Sequence, residues 1–244
     1  KPVDLGQSFV RCMKCVGCRV FRREQWVLRL LIEAKFVDDA RLITFTYDEA
    51  NKPSGLPYRD IQEMWKRLRA YGLSVRFFCV GEFGSKSGRP HWHAIIFTNG
   101  YCIRDETYRD AWKKGFVHVD KRRFTVKACR YVVKYLSKDY VGGSEFVLRT
   151  SRRPGLGAVG FRRYGYAFAR AGGEFVPEYL VVGGKQYSMD RTAKNHFVKG
   201  FEDFGRVARF TSEIMDDAKM LKGLVDRIAK SDYLKERARN GTAA

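Results

Sequence analysis

The chain has 244 residues and carries 47 lysines and arginines against 27 aspartates and glutamates, for a net charge of +20 and a pI near 9.9. At 45% hydrophobic it has enough apolar material for one good core and a helical appendage, which excludes a disordered or fibrous chain. No apolar run is long enough to span a bilayer and no signal-peptide pattern opens the chain, so the charge excess points to nucleic acid rather than a membrane surface.

Six cysteines are present, three of them packed into "CMKCVGC" as Cys12, Cys15 and Cys18. Scattered Cys79, Cys102 and Cys129 complete the set, which is no disulfide framework of a small secreted domain and indicates a reducing cytoplasm. The triple cysteine is most of a zinc site, but a structural zinc wants four ligands and no second CxxC follows. His118 or Cys102 would close it only if the fold brings them near; a flexible basic arm with reduced thiols is the equal alternative.

Next, "RVFRREQWVLRLLIEAKF" has apolar positions at helical spacing, offset from Arg22, Arg23 and Arg29, and reads as a basic amphipathic helix. Leu42–Tyr47 alternates and is rich in β-branched and aromatic residues, the pattern of a strand. "KPSGLP" breaks the chain, and "YRDIQEMWKRLRAYG" forms a helix stopped by Gly72. "SVRFFCVGEFG" and "HWHAIIFT" are strands joined by a glycine-rich turn. "RDETYRDAWKKG" is a short helix, "FVHVDKR" a strand and "TVKACRYVVKYLSKDY" a helix.

The order from Arg41 is thus β-α-β-β-α-β-α, which predicts an α+β fold: an antiparallel sheet of split β-α-β type with helices on one face. Four regions are expected: a Cys-containing basic arm and helix over 1–40, a core over 41–145, a basic loop and irregular segment over 146–191, and a helical tail over 192–244.

Within the second hairpin strand, His91 and His93 are two residues apart and project to the same face, while Trp92 and Ala94 project to the other. Neutral imidazole is the commonest metal-ligating side chain, and a pair at this spacing can share one ion. Across the hairpin, Glu82 shares the parity of Phe78 and Val80 and so faces the histidines. Two histidines and one carboxylate suit Mg²⁺ or Mn²⁺. In "YVVKYLSK", Tyr131 and Tyr135 stand at i and i+4, as do Lys134 and Lys138, so two hydroxyls and an ammonium share one helical face. A tyrosine oxygen is a competent nucleophile toward phosphorus, and a lysine beside it neutralises charge developing on the phosphate. Arg122, Arg123, Lys127, Arg130, Lys138, Arg152 and Arg153 are candidates for phosphate contacts, with Trp92, Phe124 and Tyr140 as aromatics able to stack bases.

The set carries a resemblance. His91-Trp92-His93 resembles the His-hydrophobic-His motif of the HUH endonucleases, "LITFTY" the strand motif that precedes it in rolling-circle replication initiators, and "YVVKYLSK" their two-tyrosine motif, all in the family's order. Joined with "CMKCVGCR" and "SRRPGLG", these motifs are similar to the replication initiators of the microviruses, single-stranded-DNA phages, and of their gokushovirus branch in particular. The resemblance implies a nickase and strand transferase acting on single-stranded origin DNA through a 5′-phosphotyrosine link. It casts His91 and His93 as metal ligands, Tyr131 and Tyr135 as nucleophiles and Lys134 as an aid at the phosphate. A bacterial host would supply the cytoplasm, the polymerase and, since "VVGGKQ" lacks the Walker spacing and hydroxyl, the helicase.

Overall fold

The computed structural model describes residues 3–5, 8–10, 12, 15–84, 88–121, 124–134 and 146–208. Two units are distinguished, the first made of residues 1–27 and 37–156, the second of residues 28–36 and 157–244.

In the first unit a short hairpin, β1 (Val3–Leu5) and β2 (Ser8–Val10), precedes helix α1 (Val16–Lys35), which contributes its residues up to Val27 here. The chain then forms β3 (Asp39–Tyr47), α2 (Tyr58–Ala70), β4 (Arg76–Phe83), β5 (Pro90–Thr98), α3 (Asp105–Trp112), β6 (Gly115–Val119), α4 (Val126–Val133) and β7 (Val147–Thr150). The strands make one antiparallel sheet in the order β6-β3-β5-β4-β7. Strands β3 and β4, linked through α2, flank β5, and β5 and β6, linked through α3, flank β3. In each of these β-α-β connections one strand lies between the two that the helix links.

Alternation assigns the two faces. Ile43, Phe45, Tyr47, Phe77, Cys79, Trp92, Ala94 and Ile96 point one way and are sealed by Ile61, Met64, Trp65 and Leu68 of α2 and Tyr108, Ala111 and Trp112 of α3. Trp65 stacks on Phe77 with ring centroids 4.3 Å apart. Trp92 donates its indole N–H to the Tyr47 hydroxyl (3.2 Å), which donates in turn to Asp60 (3.1 Å). Gly81 is required beneath that indole, since a Cβ there would lie 2.7 Å from the Trp92 ring.

Helices do not lie on one face alone, as the sequence leads one to expect. Trp26 of α1 packs edge-on against Phe78 (5.1 Å), and the buried Cys129 of α4 directs its thiol to the Val27 carbonyl (3.8 Å). Phe78 has the opposite parity to Phe77, so α1 and α4 serve the second face. The basic amphipathic pattern of α1 hides this role, because its apolar stripe does not say which face of a sheet it meets.

In the second unit, α5 (Ala158–Arg170) and α6 (Arg191–Asp203) pack through Phe168, Phe197 and Phe201, with the hairpin β8 (Tyr179–Val182) and β9 (Lys185–Ser188) between them in sequence. A thirteen-residue helix thus occupies part of the segment expected to be loop. Its glycines argue against a helix by propensity, yet a Cβ at Gly165 would meet the Phe197 carbonyl at 1.9 Å and one at Gly200 the Arg162 carbonyl at 2.1 Å. Close crossing of two backbones outweighs the propensity cost. Buried Glu33 accepts from the Gly157 N–H (2.7 Å) at the head of α5, and Asp190 caps α6 through the Ala193 N–H (2.8 Å). The expected tail coincides with α6 at its start; from residue 209 onward it lies outside the described residues. Among the described residues, no helix is long and apolar enough to cross a membrane.

Candidate metal centre and nucleophile helix

Antiparallel register brings Glu82 of β4 opposite His91 of β5, and His93 opposite Thr44 of β3. Glu82, His91 and His93 have ligand atoms within 4.8 Å of one another, a group able to hold a metal ion. One carboxylate oxygen, Glu82 Oε1, lies 3.1 Å from His91 Nε2 and 3.2 Å from His93 Nε2. Glu82 and His93 are both buried, at 8% and 5% exposure.

Each imidazole also has a polar neighbour at its Nδ1. His91 Nδ1 stands 3.0 Å from the Arg89 carbonyl, which can only accept; the tautomer with its proton on Nδ1 presents the Nε2 lone pair toward Glu82, 3.1 Å away. His93 Nδ1 meets the Thr44 hydroxyl at 3.0 Å, which can take the same donor and free the second Nε2. Burial, ahead of the charges of His91 and Lys134, pushes His93 below the ordinary imidazole value despite Glu82, and so favours the neutral ligating form. Three electron-pair donors converging on one point fit a cation, and outer hydrogen bonds of this kind are what orients metal-ligating histidines.

Helix α4 delivers the tyrosine. Thr125 caps it by accepting the Ala128 N–H (3.2 Å), and Cys129, Val132 and Val133 are buried, so Tyr131 is left on the open side at 43% exposure. The Tyr131 ring meets that of His93 edge-on, centroids 5.6 Å apart, and Lys134 Nζ stands 4.0 Å from its centroid. Tyr131 also lines a cleft of about 410 Å³ together with Leu42, Thr44, His118, Asp120, Thr125, Lys127 and Ala128.

The remaining expected residues divide into three groups. Tyr135, Lys138, Tyr140, Arg122 and Arg123 lie outside the described residues. Lys127 is exposed and lines the cleft, while Arg130 pairs with Glu24 of α1 at 3.6 Å. Arg152 and Arg153 are exposed but are not brought to the histidines. They follow β7 beside Arg76, whose guanidinium holds the Pro154 and Gly155 carbonyls, at the opposite end of β4 from Glu82, about 20 Å away at the usual strand rise. Trp92 is wholly buried in the core and stacks no bases, because its parity opposes that of its histidine neighbours. Phe124 packs near Phe97, centroids 6.1 Å apart.

Thr44, which meets His93, and His118 and Asp120, which line the cleft with Tyr131, are neighbours to which the motif reading gives no role here. The signal for Thr44 was its even position in β3, which register places beside His93. His118 and Cys102 do not join Cys12, Cys15 and Cys18; Cys102 instead takes a hydrogen bond from Arg41.

Residues 40–140 match the family described as Replication-associated protein ORF2/G2P. The chain is 29% identical over 214 residues to the "Replication-associated protein ORF4" of Chlamydia phage 1, covering 75% of this chain and 52% of that protein. It is 25% identical over 243 residues to the "Replication-associated protein VP4" of Bdellovibrio phage phiMH2K, covering 87% and 76%. Against the "Replication-associated protein ORF2" of Spiroplasma virus 4 it is 26% identical over 156 residues, covering 53% and 48%. The chain spans about half the length of two of these relatives. No solved structure matches it significantly. Residues 40–140 are thus similar to the replication-associated protein ORF2/G2P family, and the chain to the replication-associated proteins of microvirus-type phages.

Proposed function

We propose that this protein is a rolling-circle replication initiator that nicks and rejoins single-stranded DNA through tyrosine. The observation that carries the reading is the convergence of Glu82, His91 and His93 on one point, with Tyr131 on the ring edge of His93. Glu82, His91 and His93 would hold Mg²⁺ or Mn²⁺, which supplies Lewis-acid polarisation of a phosphate.

The tyrosine chemistry follows from the helix. Tyr131 Oη attacks the scissile phosphorus; the Oη–P bond forms, the P–O3′ bond breaks, and the phenolic proton is lost while the 3′ oxygen leaves as a hydroxyl. Lys134, beside Tyr131, offsets the charge gathering on the phosphate oxygens. Bond energy is retained in the 5′-phosphotyrosine, so rejoining is the same displacement run from a 3′-hydroxyl and needs no ATP. Tyr135, one helical turn on in the sequence, serves as second nucleophile for the closing cleavage. Lys127, Arg130, Arg122, Arg123 and Lys138 contribute positive charge around the strand, and Arg152 and Arg153 extend it at the far end of the sheet. Polymerase and helicase come from the bacterial host, in whose cytoplasm the reaction takes place.

The test is incubation with single-stranded oligonucleotides from the parent genome and Mn²⁺, resolved on a denaturing gel and mapped by peptide mass spectrometry. An adduct on the peptide holding Tyr131 and Tyr135 is expected. Binding without any adduct, with folded protein and metal present, would leave a non-catalytic single-strand-binding module instead.

A further inference from the structure

A second donor cluster stands apart from the histidine site. Cys12, Cys15 and Cys18 place their sulfurs within 4.8 Å of one another, and Cys12 Sγ lies 3.7 Å from Cys18 Sγ. That separation is far too long for a disulfide, which needs about 2.05 Å. It matches the edge of a tetrahedron about one zinc: with Zn–S bonds of about 2.3 Å the sulfurs are held about 3.8 Å apart. An iron–sulfur cluster distributes its thiolates over separate irons and spreads them more widely.

The Cys15 N–H donates to Cys12 Sγ (3.4 Å), and Cys15 Sγ accepts from the Cys18 N–H, so backbone amides point at two of the three sulfurs. A merely flexible basic arm gives no reason for three side chains of this type to converge.

We propose that Cys12, Cys15 and Cys18 bind one zinc ion as three thiolate ligands, with an exchangeable ligand in the fourth position. Soft thiolates select zinc over the hard cations that suit Glu82, His91 and His93, so the two sites sort different metals. The zinc would act on the nucleophile helix at a distance. Cys18 lies in the first turn of α1, and within the same unit α1 holds α4 through the Glu24–Arg130 pair and the contact of Cys129 with the Val27 carbonyl. Fixing the head of α1 steadies the helix on which Tyr131 is mounted.

The experiment is metal analysis of the full chain, reduced, supplied with zinc and desalted, beside the His91→Ala/His93→Ala and Cys12→Ser/Cys15→Ser/Cys18→Ser variants. The proposal expects roughly one zinc per chain in the wild type and the histidine variant, and at least about tenfold less in the cysteine variant. No zinc in the wild type, or undiminished zinc in the cysteine variant, overturns it. Should the cysteine variant fail to fold, Co²⁺ loaded into the histidine variant decides: a thiolate-to-cobalt charge-transfer band supports the site and its absence removes it. Neither result depends on whether the protein nicks DNA.

Discussion

The two faces of the five-stranded sheet are built from the same strands and do opposite work. On one, Phe45, Phe77, Trp92 and Ile96 disappear under α2 and α3; on the other, Thr44, Glu82, His91 and His93 form a polar recess beside α4. Trp92 sits between the two histidines in sequence and belongs wholly to the other face. Strand alternation thus lets a rigid aromatic layer back the histidine pair, one residue out of phase with it. Stability and chemistry are separable by parity, and substitutions at successive residues should separate them.

The largest effect is expected on the apolar face. Trp92→Ala removes a fully buried indole and its hydrogen bond to Tyr47, and should cost about 3–5 kcal/mol, read as a lower urea midpoint. A loss under about 1 kcal/mol would show that the aromatic layer does not support the sheet. One residue on, His93→Ala should reduce Mn²⁺-dependent nicking by about 100-fold or more while leaving the far-UV circular dichroism and the urea midpoint nearly unchanged. Equal injury to stability and activity would mean the faces are not separable. Gly81→Ala, aimed at the tight contact beneath Trp92, should destabilise by about 1–3 kcal/mol, and the urea midpoint again decides.

A smaller change tests the outer layer of the recess. Thr44→Val keeps the shape and removes the hydroxyl that meets His93 Nδ1, so metal affinity measured by calorimetry should fall about tenfold. An unaltered isotherm would remove Thr44 from the site. The subtlest effect is on pH. Burial lowers the His93 pKa in the folded state, so the unfolded chain takes up this proton first as pH falls. The metal-free protein should have the full contribution above the unfolded imidazole value near 6.5 and lose it as pH drops below, a slope that His93→Gln abolishes.

Much of this site was legible because it depends on period two and on a hairpin. His91, His93 and Glu82 needed only parity and a turn between adjacent strands, and register places them together. Tyr131 needed only helical spacing. What escaped were features fixed by tertiary approach. The helix through Gly160 and Gly165 contradicts local propensity and forms because the Phe197 backbone passes close to Gly165. The placement of Arg152 and Arg153 depended on β7 joining the sheet edge, and four half-buried residues give little periodic signal for that. Trp92 looked like a surface aromatic beside a motif, although the alternation that aligned the histidines already directed it inward.

The most direct test of the central claim, that one face of this sheet is a metal site, is anomalous scattering from crystals of the protein soaked in Mn²⁺. The account predicts a peak within bonding distance of Glu82 Oε1, His91 Nε2 and His93 Nε2. Mn²⁺ bound elsewhere, or a well-ordered recess without a peak at saturating metal, would contradict it.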